Sequence, residues 1–135
     1  MSEETPAPGT WRNRIIGQDV VDPKTLKANP KNWRLHPKQQ QEVMAGVLDE
    51  VGWVDQILVN KRTGLMIDGH LRLEMALKRK ETQVPVTYVD LSDEEEALVL
   101  ATFDPISSMA TKDADRLTEL LASVSTNNAA VTKMM

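Results

Sequence analysis

Asp68, Gly69, His70 and Arg72 stand close together where the apolar run Leu65-Met66-Ile67 gives way to a helical pattern through Leu71, Leu73, Met75 and Ala76. Aspartate favours a helix N-cap, and glycine lets backbone come close to whatever sits beside it. The first turn of a helix carries unpaired N–H groups and the positive end of the dipole. A strand, a tight turn, a free helix start and two nearby basic side chains suit an anion, with phosphate the leading candidate. The plainer alternative is that Asp-Gly only starts the helix and that the arginine is solvated.

A second concentration of polar groups lies in Leu26-Lys27-Ala28-Asn29-Pro30-Lys31-Asn32-Trp33-Arg34-Leu35-His36-Pro37. Two prolines and two asparagines argue for a shaped loop. Lys27, Lys31, Arg34 and Lys38 surround Trp33, and cations around an aromatic ring can grip phosphates and stack on a base. Against this, Trp33 can equally plug the edge of the core while the cations face water.

The elements that must position these groups follow from local pattern. Ile15-Ile16-Gly17-Gln18-Asp19-Val20-Val21 reads as a first strand with an irregularity at Gly17, ended by Asp22-Pro23. Pro37 suits the first position of a helix whose stripe Val43, Met44, Val47, Leu48 and Val51 is assigned to the core, with Gly52 as its stop and Trp53 closing its end. Gln56–Asn60 is a buried strand, Lys61-Arg62-Thr63-Gly64 a turn, and Leu65–Ile67 the return strand. The helix after Gly69 buries Leu71, Leu73, Met75, Ala76 and Leu77, and Lys78-Arg79-Lys80 compensates its negative end. Pro85 makes the strand Gln83–Val89 an edge strand, or sits where no ladder donor is needed. Ser92-Asp93-Glu94-Glu95 is a capping box, and its acidity is accounted for by the dipole, not by a metal. Phe103-Asp104-Pro105 is expected to break that helix. Thr111 is expected to cap a last one with Leu117, Leu120, Leu121 and Val124 as its apolar face. The chain thus divides into a flexible segment 1–13, a domain 14–110, a helix 111–125 and a tail 126–135.

The totals narrow the classes. At 135 residues and 41% hydrophobic, the chain supports one globular domain. It has no cysteine, which removes disulfides, thiolate metal sites and a thiol nucleophile. No apolar stretch reaches the length of a membrane span, and the N-terminus lacks a signal pattern, so the expectation is cytoplasmic. A net charge of −4 is unlike a DNA-coating protein, although a local basic face remains compatible with it.

The joint order of Leu26-Lys27-Ala28-Asn29-Pro30, a helix, Gly52-Trp53-Val54-Asp55-Gln56-Ile57-Leu58-Val59 and Ile67-Asp68-Gly69-His70-Leu71-Arg72 resembles the N-terminal domain of the ParB/sulfiredoxin superfamily. The resemblance spans about Ile15 to Asp104. Asn29-Pro30-Lys31-Asn32-Trp33-Arg34 and Val89-Asp90-Leu91 are most similar to bacteriophage ParB-like proteins, some of which precede a DNA methyltransferase domain. It implies an α+β fold, a small mixed sheet flanked by helices, here with an extra C-terminal helix. It also implies that Gly69, His70, Leu71 and Arg72 form a nucleotide-phosphate motif with Arg34 near the phosphates. The implied ligand is a nucleoside triphosphate of the CTP or ATP type, with Mg²⁺.

Departures from the family pattern matter. The catalytic cysteine of sulfiredoxins is replaced by His70, which excludes that chemistry. Partition ParBs carry a Glu at the position of His70 and an Arg at that of Leu71. The Asp-Gly-His form is similar to a serine-kinase branch, which keeps phosphotransfer or weak triphosphatase activity open with Asp68 or His70 as general base. After Asp104 there is no room for a helix-turn-helix module. The implied role is a nucleotide-binding protein of phage or plasmid DNA metabolism, able to dimerise and to touch DNA through Lys27, Lys31, Arg34 and Lys38. Two alternatives stay open: a non-enzymatic interaction module, regulatory or associated with a methyltransferase, and, ranked below it, a nuclease.

Overall fold

The turn after Ile57–Asn60 shows how closely local chemistry is followed. Gly64 adopts φ +74°, and its N–H returns to the Asn60 carbonyl at 2.8 Å. This closes a hairpin between β2 (Ile57–Asn60) and β3 (Leu65–Asp68). The computed structural model describes residues 9–135, apart from the side chains of 104, 107 and 108. Residues 1–8 of the segment expected to be flexible lie outside the described residues. Among the described residues the remaining elements are β1 (Ile15–Val21), a 3-10 turn (Pro23–Thr25), α1 (Lys38–Glu50), α2 (His70–Lys78), β4 (Val84–Val89), α3 (Asp93–Ser108), α4 (Ala114–Ala122) and α5 (Ala129–Met134).

The strands form one mixed sheet in the order β1-β4-β2-β3. β1 runs antiparallel to β4, β4 parallel to β2, and β2 antiparallel to β3. Ile15 faces Val89 while Gly17 faces Tyr88, so Ile16 is the extra residue of a bulge beside Gly17. β4 is an interior strand. Pro85 is accommodated there because the pairing with β2 begins only at Val86, leaving β1 as the neighbour at that point.

Both faces of the sheet are covered along β2, β3 and β4, though not along the largely exposed β1, which is why β2 reads as an unbroken apolar run. Ile57, Val59, Met66, Val84 and Val86 pack with Leu73 and Ala76 of α2 on one face. Ile67, Val89 and Leu91 pack with Leu100 of α3 on the other. Leu77, expected inside, is exposed.

α1 departs from expectation. Its stripe of Val43, Met44, Val47 and Leu48 is only half-buried, and Val51 is exposed. The helix packs mainly on α2 and α5, which leaves its stripe incompletely covered. Its ends follow the sequence: Pro37 precedes the first turn, and Gly52 ends it at φ +95° with its N–H on the Leu48 carbonyl.

The C-terminal third also differs. Pro105 lies inside α3 and does not end it. The ring holds a φ compatible with helix and withdraws only one donor, so the following turn continues. Asp113, not Thr111, caps α4, accepting the Arg116 N–H at 3.1 Å. None of the α4 apolar residues is buried. Where a tail was expected, Asn128 caps α5 by accepting the Val131 N–H at 3.1 Å. The Asn128 side chain rests on Gly46 so closely that a Cβ there would lie 2.5 Å from it.

The capping box forms as read: Ser92 N–H donates to Glu95 at 2.9 Å, and Glu95 N–H donates to Ser92 Oγ at 3.2 Å. Glu95 also pairs with Arg14 at 2.6 Å. The arginine hydrogen bond, then the Ser92 amide, hold the Glu95 carboxyl down at about 2. A carboxyl with a depressed folded-state pKa contributes stability above its ordinary value and loses it as pH falls through the folded value. Urea midpoints should therefore fall between about pH 5 and pH 2 by an amount worth about 1 kcal/mol for this partly solvated pair. Glu95→Gln should flatten that part of the profile.

Candidate functional site

The start of α2 is shaped by two local constraints. Leu58 faces Asp68 while Val59 faces Met66, so Ile67 is a bulge residue that re-aims the end of β3. Gly69 then takes φ +95°, and a Cβ on it would lie 3.1 Å from the Ile57 Cα. Only glycine satisfies both the left-handed backbone and the close approach. Gly69→Ala should cost about 1–3 kcal/mol, read as a lower urea midpoint.

Gly69, not the expected Asp68, is the N-cap of α2, and no side chain caps the helix. The Asp68 carboxylate turns instead to Arg34 Nη2 at 3.3 Å. The α2 start is thereby left without a side-chain cap, at the end of the helix that favours negative charge.

These residues open onto a cavity of ≈ 430 Å³ lined by Arg34, Asp68, Gly69, His70, Leu71 and Arg72, with His36, Gln40, Met44, Phe103 and Ile106 completing the wall. Every site residue read from the sequence is brought to this one cavity. Arg72 pairs with Asp55 at 3.2 Å and its side chain is 23% exposed. The two arginines and the helix start present positive charge; Asp68 opposes it.

The 26–37 loop reaches the cavity because it is pinned along the free edge of β3. Met66 N–H donates to the Lys27 carbonyl at 3.0 Å. Asn29 N–H donates to His70 Nε2 at 3.1 Å. Trp33 Nε1–H donates to the Leu100 carbonyl of α3 at 2.9 Å, so this ring ties the loop to α3 while remaining half-exposed. Of the basic residues in this stretch, Arg34 lines the cavity, whereas Lys38 pairs with Glu42 on α1. Burial, then the Arg34 charge, push the His70 imidazole below its ordinary pKa, against the pull of Asp68.

Sequence reasoning missed Asn29, Asp55, Phe103 and Ile106. Asn29-Pro30 was legible as a turn but not as a histidine partner, and the α3 residues carry no local mark of a distant site. Among the described residues no group of three His, Asp or Glu could hold a metal, and no helix is long and apolar enough to cross a membrane. Asp68 is the carboxylate on the cavity wall.

No family model matches the sequence, and no curated protein matches it. Solved structures do. A C-terminally truncated chromosome-partitioning protein ParB from Caulobacter crescentus, complexed with CTP-gamma-S, superposes with TM-score 0.60 at 21% identity over 78% of this chain and 60% of that one. A pNOB8-like ParB N-domain gives TM-scores of 0.58 and 0.56 in two structures, at 20% and 18% identity, over 83% and 85% of this chain and 50% and 48% of those. The chain has the mixed α+β fold of a ParB N-terminal domain, and it spans about half to three-fifths of the length of these solved chains.

Proposed function

We propose that the chain is a ParB-like nucleotide-binding protein that holds a nucleoside triphosphate, CTP or ATP, by its phosphates at the start of α2. The observation that carries this reading is the helix start without a side-chain cap, opening into a cavity flanked by Arg34 and Arg72. Helix N-termini of this kind receive phosphate through backbone N–H groups and dipole together. The fold shared with a ParB solved with a CTP analogue supports it. Gly69, His70, Leu71 and Arg72 supply the cradle and Arg34 the second cation. Asp68 and His70 are the residues of the motif weighed as general base, should slow hydrolysis or phosphotransfer follow. On this reading the chain acts in phage or plasmid DNA metabolism in the host cytoplasm, as a homodimer. It meets DNA through the basic stretch of Lys27, Lys31, Arg34 and, at the start of α1, Lys38.

Calorimetric titration with CTP, ATP, GTP and ADP, with and without Mg²⁺, tests the proposal. Saturable binding of a triphosphate is expected; no heat with any of the four overturns it. One observation favours a different reading, a non-enzymatic interaction module that keeps the turn without its ligand. Arg34 and Arg72 are each already held by a carboxylate, Asp68 and Asp55. The same titration separates the two.

A further inference from the structure

His70 has a more specific part than its place in the motif assigns to it. It is the first residue of α2 and lines the cavity. Its Nε2 receives the Asn29 backbone N–H at 3.1 Å. A backbone amide can only donate, so Nε2 must hold a lone pair. The neutral ring then carries its proton on Nδ1. That Nδ1–H is buried and has no acceptor among the described residues. Asn29 repeats the deficit: it is 4% exposed, its Oδ1 accepts the Lys31 N–H at 3.0 Å, and its Nδ2 has no acceptor.

Buried polar groups are almost always paired, and those that are not call for an explanation. Both unpaired atoms here are donors. What is missing is therefore an acceptor, which fits phosphate oxygens and does not fit a cation. Nδ1 is buried, and the cavity that His70 lines is where such an acceptor would be bound. Contacts of this sort commonly tighten only in the complex.

Building on the nucleotide-binding reading above, we infer that His70 donates a hydrogen bond from Nδ1 to a phosphate oxygen, with Asn29 as the positioning residue that fixes its tautomer. His70 is then not the proton acceptor of any hydrolysis, because the lone pair such a role needs is already engaged by Asn29. Burial and the Arg34 charge, which lower the pKa of the ring and so favour its neutral form, agree with this. That leaves Asp68 as the carboxylate able to take a proton.

Two substitutions separate the two nitrogens. In His70→Gln, Oε1 can accept the Asn29 N–H in place of Nε2, but nothing replaces Nδ1–H. In His70→Asn, Nδ2–H lies near the position of Nδ1, but nothing reaches Asn29. Urea midpoints and calorimetric titrations with CTP, ATP and inorganic tripolyphosphate read both effects. His70→Gln should lose at least about tenfold in affinity with little change in midpoint. His70→Asn should lose more in midpoint and less in affinity than the glutamine variant. Long-range ¹H–¹⁵N spectra of the wild-type protein should show Nδ1 protonated and Nε2 bare, with the Nδ1 signal moving on ligand addition. Protonated Nε2, or a glutamine variant that binds as tightly as wild type, overturns this inference and leaves nucleotide binding intact. A wild-type protein that binds none of the three probes overturns both.

Discussion

Arg72→Ala should weaken triphosphate binding by about 1.5–3 kcal/mol, roughly 10- to 150-fold, the usual worth of a hydrogen bond to a charged group. Arg72 lies in the first turn of α2, so on the proposed reading its guanidinium and the helix amides would address the same anion. In the free protein it is held at 3.2 Å by Asp55, which pre-orders the side chain and also competes with the ligand. Removing the arginine therefore does double harm: a cation is lost, and the Asp55 carboxylate is left without its partner. Asp55→Asn should act in the opposite sense, tightening binding because the competitor is neutral while the side chain keeps its size. Lysine at position 72 should restore only part of the affinity, since a point charge cannot reproduce a planar fork on phosphate. Calorimetry checks all three, with circular dichroism confirming that each variant is folded. Binding by Arg72→Ala within twofold of wild type would move the phosphates elsewhere.

Asn60→Ala should lower the unfolding free energy by about 3 kcal/mol or more, read from urea midpoints. Asn60 is completely buried. Its Nδ2 donates to the Leu91 carbonyl at 3.0 Å and to Glu96 at 3.1 Å, and its Oδ1 accepts the Leu91 N–H at 3.0 Å. Thr63 Oγ1 adds a donor to the same Glu96 carboxylate at 2.6 Å. This one side chain joins the β2–β3 turn to the segment that leads from β4 into α3. Truncation strips a partner from the Leu91 N–H, the Leu91 carbonyl and the nearly buried Glu96 carboxylate, and opens a cavity as well. Unpaired polar groups cost more inside than the bonds gain when made, because water cannot replace the partner. Asn60→Asp should be at least as damaging, since it sets a second carboxylate against Glu96. A loss of only about 0.5 kcal/mol, the size of an ordinary surface substitution, would show that the network is not a fastening of the fold.

The two sites differ in how visible they were. Gly69 and Arg72 announce themselves because a turn able to receive phosphate is made of residues close in sequence. Asn60 looks like the polar end of a strand before a turn, and nothing in its neighbours says that Leu91 and Glu96 come back to it. The same division runs through the molecule. The hairpin around Gly64, the bulge beside Gly17, the stop at Gly52 and the Ser92–Glu95 box depend on φ preferences and on hydrogen bonds a few residues long. Each was legible from the sequence and is present in the structure.

What the sequence determined alone, then, is most of the elements, α5 and the run of α3 past Pro105 excepted, and the turn that begins α2, because backbone sterics and local capping act within one or two helical turns. Tertiary structure decided the rest. The return of the chain makes β4 interior despite Pro85, leaves the stripe of α1 half-covered because it packs on α2 and α5, and carries α3 through Pro105. It also pairs Asp68 with Arg34 across 34 positions and His70 with Asn29 across 41. Those pairings settle which carboxylate caps nothing and which histidine nitrogen is free. No local pattern contains them, since they follow from which apolar faces bury each other and from where the loop is pinned along the edge of the sheet.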